Sequence, residues 1–97
     1  MPIEFDAIIF QEGKGYVAHC PELDVSSCGH DVDEARRNLK TAVRLFAEEA
    51  EKLGALDDIL REAGYQKSEG TWKSPRIVAT EVMTLGSLDF TILEGSL

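Results

Sequence analysis

The sequence predicts an α+β domain: an antiparallel sheet with one long helix packed on one face, in the order β-β-β-α-α-β(-β). Three features of the apolar pattern predict it. Period-two alternation runs through the first 28 residues in short segments, the period changes to 3.6 at Asp31, and alternation returns after Pro75.

In "PIEFDAIIF", Ile3, Phe5, Ala7 and Ile9 alternate with Glu4 and Asp6, and Ile8 and Phe10 extend the second face. This predicts a strand that is half-buried at its start and buried on both faces at its end. "QEGKG" places two glycines within three residues and reads as a hairpin loop. "YVAHC" is a second strand, ended by Pro21 in the turn "PELD", and "VSSC" is a short third strand closed by Gly29. From Asp31, the residues Val32, Ala35, Leu39, Ala42, Val43, Phe46, Ala50 and Leu53 form one apolar stripe. Asp31 stands at the N-cap with Glu34 three residues on, and Gly54 fits the C′ position. Phe46, as an aromatic of that stripe, is expected in the core. "ALDDILREAG" predicts a shorter helix with Leu56, Ile59, Leu60 and Ala63 inward, and "YQKSEGTWKSP" reads as a polar crossing. Beyond Pro75, "RIVATEVMTL" and "LDFTIL" alternate as strands, with Gly86–Ser87 as a two-residue turn or a bulge between them.

A length of 97 residues predicts a single domain, 1–97, and 43% apolar with 29% charged residues is the composition of a folded globular chain. The net charge of −8 repels phosphate backbones, so direct nucleic-acid binding by this chain alone is not expected. No apolar run reaches the ~20 residues of a membrane span, and the first residues lack a signal-peptide pattern, so a cytoplasmic protein with no membrane association is expected.

Both histidines and both cysteines lie between His19 and His30, which raises a metal site. Zinc wants four converging N or S ligands. His19 and Cys20 are strand neighbours and leave opposite faces. If "PELD" closes a hairpin, His19 pairs near Ser26 and Cys28 near Val17, leaving at most His19, Cys28 and His30 on hand. No metal and no cofactor are expected, and the two cysteines are not expected to form a disulfide. Cys28, three residues before the helix cap, is the better of two weak nucleophile candidates. The helix carboxylates interleave with Arg36, Arg37, Lys40, Arg44 and Lys52 as a solvated face. No catalytic residue is assigned.

The stretch "GYVAHCPELDVSSCGHDVDEARRNL" resembles the signature of HicB-like antitoxin domains, G-Y-x-A, P-E-L, G, a cap, E-A and N-L. The matching residues are Gly15, Tyr16, Ala18, Pro21, Glu22, Leu23, Gly29, Asp31, Glu34, Ala35, Asn38 and Leu39. The resemblance covers the first half of the chain, and "RIVATEVMTLGS" looks like the closing strand of the same domain. It implies a partial RNase H-like β-β-β-α-β fold and the antitoxin role of a type II toxin-antitoxin pair. The implied partner is a HicA-type toxin, a small basic mRNA interferase that the antitoxin occludes; the alternative is a stand-alone oligomeric HicB-like domain with another partner or ligand. Many such antitoxins add a DNA-binding helix-turn-helix or ribbon-helix-helix module, whereas the residues after Gly64 read here as loop and strands. A nuclease of RNase H type needs several carboxylates around two metal ions, and Asp6 is the one carboxylate on the first strand offered for it. On the residues themselves, Gly15 is expected to permit the hairpin, Pro21 the turn and Gly29 the corner into the helix, with Asp31 and Glu34 as caps.

At the end of the chain, Leu88, Phe90 and Ile92 share one face of an extended segment with Asp89 and Thr91 on the other. A leftover apolar strip on a terminal strand calls for a partner, so a homo-dimer or higher oligomer through these residues is expected.

Overall fold

The computed structural model describes residues 1–87, and its architecture is α+β. β1 (Ile8–Glu12), β2 (Gly15–Cys20) and β3 (Val25–Gly29) form an antiparallel sheet in the order β1-β2-β3. α1 (Val32–Lys52) crosses one face of it, followed by α2 (Leu56–Glu62) and a hairpin of β4 (Gln66–Ser68) and β5 (Thr71–Lys73). The register pairs His19 with Ser26 and Val17 with Cys28, as the turn at Pro21–Asp24 predicts.

Alternation sorts the sheet into two faces. Ala18 and Cys20 are buried against α1 with Ala35, Leu39 and Val43, and Phe5, Ile9, Tyr16, Leu23 and Val25 pack around them. The opposite face carries Ile8, Phe10, Val17, His19, Ser26 and Cys28. Phe10 is 49% exposed, so the end of the first strand is not buried on both faces as its apolar residues suggest.

The ends of α1 follow their sequence signals. Asp31 accepts from the Glu34 amide at 2.7 Å, and Glu34 in turn accepts from the His30 amide at 2.9 Å. At the other end Gly54 adopts φ +70, with Gly54 N–H bonded to Glu51 O and Ala55 N–H to Ala50 O. That is a Schellman close, which only a residue comfortable at positive φ completes cheaply. α2 ends the same way at Gly64, and there the motif's apolar contact is made by Leu60 and Tyr65.

Several expectations change. Pro2–Glu4 is no part of β1; it makes one parallel bridge, Ile3 to Trp72, with Glu4 N–H on Trp72 O and Trp72 N–H on Pro2 O. The supposed polar crossing is the β4–β5 hairpin, and its Trp72 with Tyr65 and Leu60 forms a second core cluster. Phe46 is half-buried and belongs to neither cluster. A 21-residue helix is ~31 Å long and a five-residue strand ~17 Å, so α1 overhangs its sheet. Val32 and Leu53, at the two ends of the stripe, are exposed for the same reason.

The expected strand in "RIVATEVMTL" does not form: residues 74–87 have no secondary structure, and Val78, Val82, Met83 and Leu85 are each more than four-fifths exposed. Alternation states which faces an extended segment needs covered, and none of the described strands covers these. Leu88, Phe90 and Ile92, the expected oligomer interface, lie outside the described residues.

Candidate functional site

The resemblance residues lie in one continuous unit, β2, its turn, β3 and the first turns of α1, and most have a local physical task. Gly29 sits where the sheet turns into the helix. A Cβ there would lie 2.5 Å from Ala35 N and 2.8 Å from Glu34 C, closer than any side chain tolerates. Gly15 works differently from the expectation. The left-handed residue of the β1–β2 loop is Gly13, φ +60, first of the two loop residues, the place a type II′ hairpin reserves for glycine. Gly15 instead opens β2, where a Cβ would approach Gly29 O at 3.3 Å. Tyr16 packs against the first cluster, and Ala35 and Leu39 are fully buried in it. Asn38 reaches back from α1 and donates to Cys28 O at 2.8 Å, tying helix to strand.

The Pro21–Asp24 turn joins the two halves of the core. Leu23 packs against both clusters. Glu22 folds back so that its two carboxylate oxygens accept from the Asp6 amide at 3.2 and 3.1 Å, and the Cys20 thiol donates to it at 3.4 Å. Burial pushes the Glu22 carboxyl above the usual range, and the neighbouring Asp6 side chain adds to the effect. Burial likewise pushes the Cys20 thiol up to about 11, which removes it as a nucleophile at neutral pH.

Glu22 therefore makes a testable contribution. Its folded-state pKa is raised, so the folded chain holds a proton that the unfolded chain releases, and stability from this group falls as pH rises above about 4.5. Glu22→Gln keeps an acceptor for the Asp6 amide without the buried charge. Its stability relative to wild type is expected to improve as pH rises above about 4.5 and to level off once the folded-state carboxyl has ionised. Glu22→Ala leaves that amide without a partner and is expected to cost about 1 to 3 kcal/mol. Urea titrations across that pH range check both.

The histidine and cysteine cluster is dispersed. Cys20 is buried beneath α1 while Cys28 is exposed on the other face. His19 bonds Ser26 Oγ at 2.6 Å and lies 3.7 Å from Asp24, and His30 is exposed before the cap. Among the described residues, no three His, Cys, Asp or Glu side chains converge as a metal site would require. Among them, too, no helix is long and apolar enough to cross a membrane.

Charge, in contrast, is organised. Residues 1–31, which make the sheet and its loops, hold six carboxylates and a single lysine. α1 holds five acidic and five basic residues and is balanced. Glu12, on the same face of β1 as Ile8 and Phe10, and Asp24, in the turn beside His19, are exposed carboxylates at opposite ends of the apolar outer face of Ile8, Phe10 and Val17. The imbalance between these segments is written in the sequence, but the placing of Glu12 and Asp24 about one apolar face depends on the sheet being assembled.

A second feature is a cleft of about 880 Å³ beside the N-terminal segment. Ile3 and Phe5 line one side, Val43 and Ala47 of α1 another, and Leu56 and Trp72 its far end. Arg61 and Lys67 lie over the Trp72 ring, 5.3 and 5.5 Å from its centroid. No protein-family model, curated protein or solved structure matches this chain.

Proposed function

We infer that the chain is an antitoxin-like interaction module that binds and occludes a small, basic HicA-type mRNA interferase. The observation that carries this reading is an apolar sheet face flanked at its two ends by the exposed carboxylates Glu12 and Asp24, in a chain of net charge −8. A cationic RNA-binding surface needs charge of opposite sign to be masked, and an apolar centre flanked by charge is the arrangement of a binding patch. The signature from Gly15 to Leu39 supports the same reading, because its residues build the hairpin, corner and helix that present this face. The parallel bridge between Ile3 and Trp72 brings a strand after the helices back beside the first segment, which is consistent with a partial RNase H-like, HicB-like domain. In this reading the chain is not an enzyme. It needs no cofactor, acts in the cytoplasm, and has a protein and not a nucleic acid or membrane as its partner.

Co-expression tests it. A short basic reading frame adjoining this gene, expressed alone, is expected to arrest growth with cleavage of mRNA, and co-expression of this chain is expected to restore growth. Glu12→Lys with Asp24→Asn changes the two exposed flanking carboxylates and is expected to weaken the rescue; asparagine tolerates the φ of +54 at position 24. A toxic neighbour that this chain neither binds nor neutralises overturns the antitoxin reading and leaves the stand-alone domain.

A further inference from the structure

Beyond any toxin, we propose that the arm formed by residues 76–85 adds as a strand to the β1 edge of a second copy of this chain.

The arm and the β1 edge have matching unmet requirements. The arm has the β-branched, alternating make-up of a strand apolar on both faces: Ile77, Met83 and Leu85 on one, Val78 and Val82 on the other. Such a segment belongs inside a sheet with both faces covered. Instead, Val78 is 92% and Val82 99% exposed. On the other side, β1 is an edge strand, unpaired on its outer side among the described residues. A strand laid along that edge would lie beside Ile9, which packs against the first core cluster, on one face and beside Phe10 on the other. Among the described residues, 76–85 pair with no strand of their own chain.

The root of the arm explains why a second copy is the occupant. Ser74 donates to Glu4 through both its amide and its hydroxyl, each at 3.2 Å, and Lys73 adds a contact at 3.4 Å. Pro75 then stands against Gly64, where it occupies the space a Cβ would take, 2.9 Å away. The chain is thus fastened as it leaves the body, and Pro75, lacking an N–H, ends the ladder that the Trp72 bridge begins. Beyond it, residues 76–85 form no ladder with their own β1. Reciprocal exchange satisfies two arms and two edges with one closed two-fold arrangement.

Light scattering on the full chain at tens of micromolar is expected to report a dimer. Val78→Asp with Val82→Asp changes the arm, and Phe10→Asp changes the receiving edge. All three positions are well exposed in the single chain, so each variant is expected to keep the wild-type circular dichroism and to be monomeric, with dimerisation weakened by about 30-fold or more. Mixing the two variants is the decisive arm: an intact arm from one meets an intact edge on the other, so association is expected to return. A monomeric wild type overturns the proposal, since the arm is then free or closes on its own chain. A Phe10→Asp variant that stays dimeric overturns it in favour of arm-to-arm pairing, and a mixture that stays monomeric overturns it as well.

Discussion

Trp72→Ala is expected to lose about 3 to 5 kcal/mol of stability, the cost of emptying a buried aromatic site. Trp72 is 2% exposed and is the largest side chain of the second cluster, with Leu60 and Tyr65. It also carries the backbone bonds to Pro2 and Glu4 that fasten the N-terminal segment, and the Tyr65 hydroxyl donates to Glu4 O at 2.6 Å beside it. A domain of this size holds only about 5 to 15 kcal/mol in total. The variant is therefore expected to melt far below wild type or to unfold at ambient temperature. Urea unfolding followed by far-ultraviolet circular dichroism measures it, because Trp72 is the only tryptophan and its removal abolishes the fluorescence signal. Phe46→Ala, at a half-buried site outside both clusters, is expected to cost clearly less.

Gly29→Ala is expected to cost on the order of 3 kcal/mol, the upper part of the range for overpacking. The obstacle is backbone, Ala35 N at 2.5 Å and Glu34 C at 2.8 Å, so no side-chain rotation relieves it. The corner must open, and opening it pulls Asp31 and Glu34 from their capping bonds and Asn38 from Cys28 O. Gly13→Ala is the control: nothing lies within 4 Å of a Cβ there, and only the φ of +60 is unfavourable, a cost of about 1 to 2 kcal/mol. Equal losses at the two glycines would show that the close approach at Gly29 is not what holds the corner.

The contrast between these sites shows what the sequence makes legible. Local signals were complete for α1: Asp31, Glu34 and Gly54 each make the capping arrangement their types and spacing predict. The register of β2 and β3 followed from the turn after Cys20. The β4–β5 hairpin was hidden because its turn is Glu69–Gly70, both at positive φ, and glutamate is a poor advertisement for a type I′ turn where asparagine is the usual signal. Trp72 within a three-residue strand offers too few positions to show a period. The arm failed for a different reason. Its alternation is real, but a pattern states that a strand needs neighbours without saying which chain supplies them. The acidic flanks of the outer face were illegible because Glu12 and Asp24 come from separate segments, β1 and the β2–β3 turn, that only the folded sheet brings to one face.

Binding of the adjoining gene's short basic product, measured by titration calorimetry at two salt concentrations, tests the interaction reading most directly. The account predicts a saturable complex that inhibits RNA cleavage, weakens as ionic strength rises from about 0.05 to 0.5 M because screening shortens from about 14 to 4 Å, and weakens again in Glu12→Lys with Asp24→Asn. No heat of binding at either salt concentration, with RNA cleavage by that product unaffected by this chain, would contradict it.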